Sequence, residues 1–330
     1  QTDYLNSLYA SGNSIGYTFG NIFYNGATVG TAANTSLRWE KQIQSNVGFE
    51  MSFLKNKFNL TADYFEKKTD GLLFVPAVSA YLGTIPPPVA NIGSTKSSGV
   101  DITLGYNGKL SDKFSLNTSL VFSSVKNMVT KTSDNGAVIT GGGYFNGQSQ
   151  TVTVFATGYA PSSYFGYHAI GIFQTSEEIA NSPTQNGAQP GDIKFADINN
   201  DGKIDDKDRT LIGNPFPKFT LGWNLSMNIG RFDFSAFTYA SSGNDVYRAF
   251  ERNDNYTNKY QDVLDRWTGP GSTNDPRNPR YSFTDPNNNS RVSDRFVEDG
   301  SFIKVKNLQL GYTFPVAKSA KLFKGFRIFG

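Results

Sequence analysis

Residues 197–208 read DINNDGKIDDKD and carry oxygen-bearing side chains at the spacing of a calcium-binding loop. Such a loop takes its ligands from positions 1, 3, 5, 7, 9 and 12 and needs a glycine at position 6 for a sharp turn. Gly202 occupies position 6, and Ile204 at position 8 supplies an apolar anchor. Many protein oxygens at one site favour Ca²⁺ over Mg²⁺. The predicted ligands of a structural Ca²⁺ are Asp197, Asn199, Asp201, Lys203 through its backbone carbonyl, Asp205 and Asp208.

Two features of this loop separate it from a paired EF-hand. Position 12 is Asp208, one methylene shorter than the usual glutamate, so bidentate closure depends on the backbone after Asp206. The preceding GDIKF reads as a strand rather than a helix, which indicates a lone loop of the extracellular kind. A solvated turn without metal, capped by Asp205 ahead of a short helical segment, is the alternative.

Other residue types that could do chemistry do not form a catalytic set. His168 is the only histidine, and no serine or cysteine nucleophile accompanies it in a motif, so a wall or loop position is expected. Glu298 and Asp299 are neighbours on a predicted strand and would point to opposite faces. Because cysteine is absent, a thiolate metal site is impossible. An enzyme is therefore not expected.

The composition favours an all-β protein. Aromatic residues make up 14% of the 330 residues, and 33 glycines suit strands and turns. A net charge of +3 is too small to indicate nucleic acid as a partner. No apolar run reaches the roughly 18 residues of a transmembrane helix, whereas a barrel strand needs only about 10 alternating residues.

Alternation of apolar and polar residues predicts a series of antiparallel hairpins. In NVGFEMSF, for example, Val47, Phe49 and Met51 share one face, and Gly48 and Glu50 share the other. About eight strands are predicted in this way. They cover 47–54, 58–66, 98–107, 114–124, 219–229, 232–241, 302–314 and 325–330, with a turn through 315–324 before the last.

The connections between these strands are strongly unequal in length. Turns within hairpins take roughly two to ten residues, and the segments between hairpins take about 30 to 90. This asymmetry is typical of an outer-membrane barrel with short periplasmic turns and long extracellular loops. The directions of the strands on either side of 125–218 require that any further strands in this segment be even in number. They also place the calcium loop outside the membrane. A soluble β-sandwich would also alternate.

Five strings occur in the order seen in one family. They are LRWEKQIQSNVGFEMSFLKNKFNLTADYFEKKTDGLL (37–73), NIGSTKSSGVDITLGY (91–106), PGDIKFADINNDGKIDDKDRTLIGNPFPKFTLGWNLS (190–226), DRWTGPGSTNDPRNPR (265–280) and SFIKVKNLQLGYTFP (301–315). Together they resemble the C-terminal half of SusC/RagA-type TonB-dependent outer-membrane transporters of Bacteroidota. The resemblance implies a plugged barrel of about 22 strands, of which this chain supplies an antiparallel transmembrane segment.

The resemblance also implies partners and cargo. Members of the family pair with a SusD-like lipoprotein and import oligosaccharides or peptides with energy relayed by the TonB complex, and lipid surrounds the barrel. On this reading 1–330 form part of one barrel domain without the signal peptide, plug, early strands and last strand. The TonB contact would lie in the missing N-terminal region. The alternative function is a secreted, calcium-stabilised β protein that binds carbohydrate or acts as an adhesin.

Overall fold

The computed structural model describes residues 8–31, 33–75, 87–132, 138–145, 148–251, 258–315 and 325–330. Strands dominate these ranges. The strands are β1 Leu8–Phe19, β2 Ile22–Thr31, β3 Lys41–Phe53, β4 Phe58–Phe74, β5 Ala90–Ser111, β6 Phe114–Lys131, β7 Ile139–Phe145, β8 Gln148–Phe155, β9 Ser163–Gly166, β10 Ala169–Ile172, β11 Ile193–Phe195, β12 Thr210–Gly213, β13 Phe219–Ile229, β14 Phe232–Ser242, β15 Asp245–Tyr247, β16 Val297–Asp299, β17 Phe302–Phe314 and β18 Phe326–Phe329.

In the ranges that the structure describes, helical structure is confined to short pieces. One α-helix, α1, spans Ser176–Ala180, and 3₁₀ turns cover Asp206–Asp208, Gln261–Asp265 and Asp294–Phe296. Within the described ranges, no helix combines the length and the apolar character required to span a membrane.

A single eight-stranded antiparallel sheet confirms the predicted hairpins. Its order is β18-β17-β14-β13-β6-β5-β4-β3, so all eight predicted strands lie in one sheet. Several strands are longer than predicted, because β4, β5 and β6 continue past the alternating segment into polar sequence. The predicted turn through 315–324 lies, except for its first residue, outside the described residues.

One face of this sheet is a continuous apolar surface. Residues that pair across the strands keep the same character: Phe49 lies opposite Ala62, and Ala62 lies opposite Ile102. The next row joins Met51, Leu60, Leu104, Leu120 and Trp223. Side chains on this face are exposed, as shown by Val47 at 74% and Leu308 at 64%. Such a surface requires an apolar environment to cover it.

The opposite face of the sheet is polar and carries side-chain hydrogen bonds between strands. Ser52 on β3 donates to Asn59 on β4 at 2.8 Å. Ser97 on β5 donates to Asn127 on β6 at 2.7 Å. The two faces therefore differ as the lipid-facing and lumen-facing sides of a barrel wall do.

The buried core lies in the long connections, not in the large sheet. These connections form a four-stranded sheet, β12-β9-β8-β7, and two-stranded sheets β10-β11 and β15-β16. The largest fully buried apolar side chains lie here, among them Phe173, Phe195 and Phe296. We call the described parts of 132–218 and 243–300 the loop layer.

The strands of the loop layer and the β1-β2 hairpin were not predicted individually. β9 to β12 have only three or four residues each, too few for alternation to be recognised. Among the described residues, six short strands, β7 to β12, lie between β6 and β13. None of the six joins the large sheet, because β6 pairs directly with β13.

Candidate functional site

The first half of the predicted calcium loop folds around its own backbone amides. Asp197 accepts hydrogen bonds from the amides of Asp201 at 3.2 Å and Gly202 at 2.9 Å. Asn199 Oδ1 also accepts from the Asp201 amide, at 3.0 Å, and Asp201 Oδ1 accepts from the Lys203 amide at 3.2 Å. Gly202 has φ +84°, in the left-handed region where glycine is favoured. Three predicted ligands thus converge on one tight turn.

The middle of the loop is pinned to a neighbouring segment. The Thr184 amide donates to the Gly202 carbonyl at 2.8 Å, and the Ile204 amide donates to the Thr184 carbonyl at 2.9 Å. Ile204 packs against the buried cluster of Ala169, Ile193 and Phe195, as expected of an apolar anchor. Lys203, whose carbonyl is a predicted ligand, is the bridge partner of Thr184.

The end of the loop is closed by two aspartates. Asp205 caps the 3₁₀ turn Asp206–Asp208 by accepting from the Lys207 amide at 2.9 Å. Asp208 is fully buried and accepts from the amides of Ile198 at 2.9 Å and Asp205 at 2.8 Å. Asp208 therefore joins the beginning of the loop to its end.

The donor chemistry of the loop fits a hard cation, but its side chains are turned toward amides. The hydrogen bond from the Asn199 side chain, followed by that from the Lys203 amide, lowers the pKa of Asp201 below its ordinary value and keeps it ionised. Among the described residues, no group of three or more His, Cys, Asp or Glu side chains lies close enough together to hold a metal ion. The Ca²⁺ site stays a prediction.

His168 lies beside this loop, as a half-exposed residue of the loop layer. Its Nδ1 contacts the Asp294 carboxylate, whose other oxygen accepts from the Ala169 amide at 2.8 Å. Glu298 and Asp299 have different partners: Glu298 faces Arg248 at 3.5 Å, and Asp299 accepts from the Ser301 amide at 2.8 Å. No paired-acid site forms from these two.

Sequence reasoning missed a buried polar cluster behind the calcium loop. Asp192 is fully buried and accepts from Arg280 Nε at 2.7 Å and from Asn289 Nδ2 at 2.9 Å. Gln185 donates to Asn287 Oδ1 at 2.6 Å in the same cluster. The only signal was the density of Asn and Arg in 277–291, which does not indicate burial.

Arg291, which the sequence analysis did not single out, contacts two aromatic rings in the loop layer. The Arg291 guanidinium lies 4.9 Å from the ring centre of Tyr167 and 4.6 Å from that of Phe195. Burial lowers the pKa of Arg291. Tyr167 in turn donates to Asp206, in the calcium loop, at 3.1 Å. The loop is thus joined to the core of the loop layer.

Family comparison identifies the barrel. The model of the family "TonB dependent receptor-like, beta-barrel" matches residues 2–178. TonB-dependent receptor P3 of Formosa agariphila is 30% identical over 296 residues, which is 88% of this chain and 29% of that protein. TonB-dependent receptor SusC of Bacteroides thetaiotaomicron is 25% identical over 321 residues, 94% of this chain and 29% of that protein.

Solved structures show the same fold. The RagAB peptide transporter superposes with a TM-score of 0.74 at 22% identity, over 99% of this chain and 34% of the solved one. The RagAB peptide importer in its closed-closed state gives 0.73 at 21% identity, over 99% of this chain and 34% of that chain. This chain therefore spans about a third or less of the proteins it matches.

These findings agree with the apolar face, the polar face and the one-sided long connections of the sheet. The family consists of transporters and receptors rather than of enzymes. Its members are outer-membrane barrels, which settles the location of the apolar face in lipid. The chain belongs to the TonB-dependent receptor-like β-barrel family and forms part of an outer-membrane barrel of the SusC and RagA type.

Proposed function

We propose that the protein carrying this chain imports oligosaccharides or peptides across the outer membrane, as the channel partner of a SusD-like lipoprotein and with energy from TonB. The observation that carries the proposal is the eight-stranded sheet with one unbroken apolar face in a chain of this family. Relatives support the cargo classes, since one is named SusC and the RagAB structures are titled a peptide importer and a peptide transporter.

The loop layer supports a lidded importer rather than an open pore. It has its own buried side chains and its own small sheets, so the rim on the long-loop side has a defined shape. A rim with fixed shape can form a specific interface with a lipoprotein, because less conformational entropy is lost on association. The ion pair between Asp192 and Arg280 joins two distant segments of this rim.

Import is tested with a deletion strain that lacks the complete gene. We expect the strain to lose uptake of at least one fluorescently labelled oligosaccharide or peptide from a panel, and we expect re-expression to restore it. A strain without functional TonB should show the same loss. Unchanged uptake across the panel, or recovery of the protein from the soluble fraction without detergent, would contradict the proposal.

The partner is tested separately by affinity purification. A tagged copy of the complete protein, extracted in mild detergent, should bring down a lipoprotein in a near-equal amount. A matched tagged barrel from another family serves as the control for nonspecific recovery. If only the control's background proteins are recovered, the lipoprotein part of the proposal fails and the import part still stands on the uptake assay.

We propose further that the loop 197–208 binds a structural Ca²⁺ through Asp197, Asn199, Asp201, the Lys203 carbonyl, Asp205 and Asp208. The support is the convergence of Asp197, Asn199 and Asp201 on one turn and the charge that Asp201 retains. When bound, the ion would supply neutralisation of the clustered carboxylates. The chain's own contribution is a preformed turn, because Gly202 and the Thr184 bridge already fix its backbone.

Calorimetric titration of the detergent-purified protein with Ca²⁺ tests this site. The double variant Asp197→Ala, Asp201→Ala should lose the heat of one site. A control variant, Asp112→Ala, removes an exposed carboxylate from the β5-β6 turn at the other end of the sheet and should bind as the wild type does. Equal heats from all three proteins would exclude the site.

A further inference from the structure

A cavity of about 590 Å³ opens in the loop layer between the segments 258–266 and 277–285. Its size lies within the range of about 300–1,000 Å³ that is usual for small-ligand sites. We propose that this cavity, called here the arginine cleft, binds an acidic oligosaccharide. The proposal rests on the proposed import function and specifies its substrate class.

Exposed aromatic rings line the arginine cleft in two pairs. Phe250 and Tyr260 meet edge to face with ring centres 4.8 Å apart, and Tyr281 and Phe283 do so at 5.4 Å. All four side chains stay 40% to 68% exposed although they border a cavity. Lys259 lies 5.8 Å from the ring centre of Tyr281 and Arg248 lies 5.7 Å from that of Phe250, each on one side of the ring. The remaining rigid flat surfaces, with the polar tips of the two tyrosines, suit the apolar face of a sugar ring.

The acidic residues of the cleft are already engaged. Glu251 forms ion pairs with Arg248 at 2.6 Å and Arg295 at 3.0 Å. Asp262 faces Arg248 at 3.4 Å, and Asp285 accepts from the hydroxyl and the amide of Ser290. These carboxylates are therefore neutralised or satisfied from within the loop layer.

Two arginines of the cleft are not neutralised in this way. The Arg266 guanidinium donates one hydrogen bond, to the Val263 carbonyl at 3.2 Å, and has no acidic partner among the described residues. The Arg277 guanidinium is exposed and makes no hydrogen bond or ion pair with any described residue. Because a guanidinium presents several donors in one plane, it matches a carboxylate or sulfate group with two parallel bonds.

The shape of the cleft walls favours a carbohydrate over a peptide. The wall 258–266 contains a 3₁₀ turn, Gln261–Asp265, and the wall 277–285 contains no helix or strand. Extended peptides are commonly bound by pairing with an exposed strand edge, and neither wall offers one. Aromatic faces together with guanidinium groups require no backbone ladder. Uronic acid units combine the flat apolar face and the carboxylate that these groups recognise.

The test measures binding to the complete outer-membrane protein purified in detergent. The probes are tetragalacturonate, the neutral maltotetraose and the acidic peptide tetraglutamate, all of similar length. The wild type should bind tetragalacturonate at least about tenfold more tightly than maltotetraose, as expected for one charge-assisted bidentate contact. Arg277→Gln should weaken tetragalacturonate binding by about tenfold. The matched control Arg231→Gln, in the β13-β14 turn, should leave tetragalacturonate binding unchanged.

An aromatic variant completes the series. Tyr281→Ala should weaken both sugars by a similar factor, because stacking does not depend on the charge of the ligand. Equal binding of the acidic and neutral sugars, or no response to Arg277→Gln, would overturn the proposal. Tighter and Arg277-dependent binding of tetraglutamate would replace the sugar by an acidic peptide. If binding is found but the deletion strain still takes up tetragalacturonate, import fails and the arginine cleft stands.

Discussion

At the scale of single residues, two aspartates of the calcium loop have different roles. Asp201 is exposed, and the hydrogen bond from Asn199 lowers its pKa below the ordinary value for an aspartate. Asp208 is fully buried and joins the beginning of the loop to its end. The same residue type is therefore exposed to solvent in one place and satisfies buried backbone amides in the other.

We expect Asp208→Ala to loosen the loop whether or not Ca²⁺ is present. Removing the carboxylate leaves the amides of Ile198 and Asp205 without acceptors, which costs about 1–3 kcal/mol for a buried group. Hydrogen exchange followed by mass spectrometry should show faster exchange across 197–208 in chelator. Asp206→Ala, which removes only an exposed partner of Tyr167, is the control and should change exchange little. Identical exchange in Asp208→Ala and wild type would contradict this role.

At the scale of elements, the large sheet is shaped by what faces each side of its strands. On the polar face of β5, Gly99 lies under the ring of Phe65, its partner on β4. On the apolar face of the same strand, Leu104 lies between Leu60 and Leu120. At Gly99 the limit on substitution is the space beneath a ring, whereas at Leu104 it is the apolar environment of the lipid.

We expect Gly99→Ala to lower the yield of folded barrel. A Cβ at this position would lie 2.5 Å from the Ser124 carbonyl oxygen and 2.8 Å from a ring carbon of Phe65, so backbone must shift. Overpacking of this kind costs about 1–3 kcal/mol. Gly105→Ala, on the same strand and face, is a matched control because its nearest neighbours lie 3.9 Å away. The fraction of heat-modifiable protein on gels measures both, and equal yields would count against the Gly99 contact.

A charge on the apolar face should be far more damaging than one on the polar face. Leu104→Arg places a guanidinium inside the apolar band, which costs about 2–4 kcal/mol near the middle of the membrane. Thr103→Arg, the adjacent residue, points to the opposite face and serves as the control. Urea titration of the protein in lipid vesicles should separate the two midpoints clearly. Similar midpoints would mean that the faces are assigned the wrong way round.

At the scale of the whole molecule, the described chain has two parts with different kinds of stability. The large sheet has one apolar face that must be covered from outside, whereas the loop layer has its own buried side chains. The Asp192–Arg280 pair and the amides around it join distant segments of the loop layer. Loss of that pair should therefore act on the loops and not on the barrel wall.

We expect Asp192→Asn to make the loop layer sensitive to protease while the barrel stays folded. The Arg280 charge would lose its buried partner, which destabilises the layer by about 2 kcal/mol or more. Asp262→Asn is the control, because its pair with Arg248 is half-exposed and surface pairs contribute little. In limited proteolysis, Asp192→Asn should be cut faster than the wild type, and Asp262→Asn should be cut at the wild-type rate. Both variants should show the heat-dependent gel shift of a folded barrel. Loss of the folded barrel in Asp192→Asn would contradict the separation.

The sequence by itself determined the strands of the large sheet. Lipid on one side and a polar lumen on the other impose strict alternation, and this pattern is local, so residues such as Phe49, Ile102 and Leu308 could be assigned to one face. The unequal lengths of the turns and the long connections, and the five segments that resemble the family in order, could also be recognised from the sequence. The six predicted ligand positions of the calcium loop were recognised from the spacing of their oxygen-bearing residues. The binding of Ca²⁺ there remains a prediction.

Only the tertiary structure decided what the long connections do. Asp192 and Arg280 are 88 residues apart along the chain, and Arg291 and Tyr167 are even farther apart. No local period encodes such pairs, because their partners are chosen by how irregular segments pack. The same packing buries Asp208 against backbone amides and opens the arginine cleft between two segments that have no regular structure in common. Contacts between distant irregular segments depend on the whole fold, whereas the barrel face depends on the alternation within each strand.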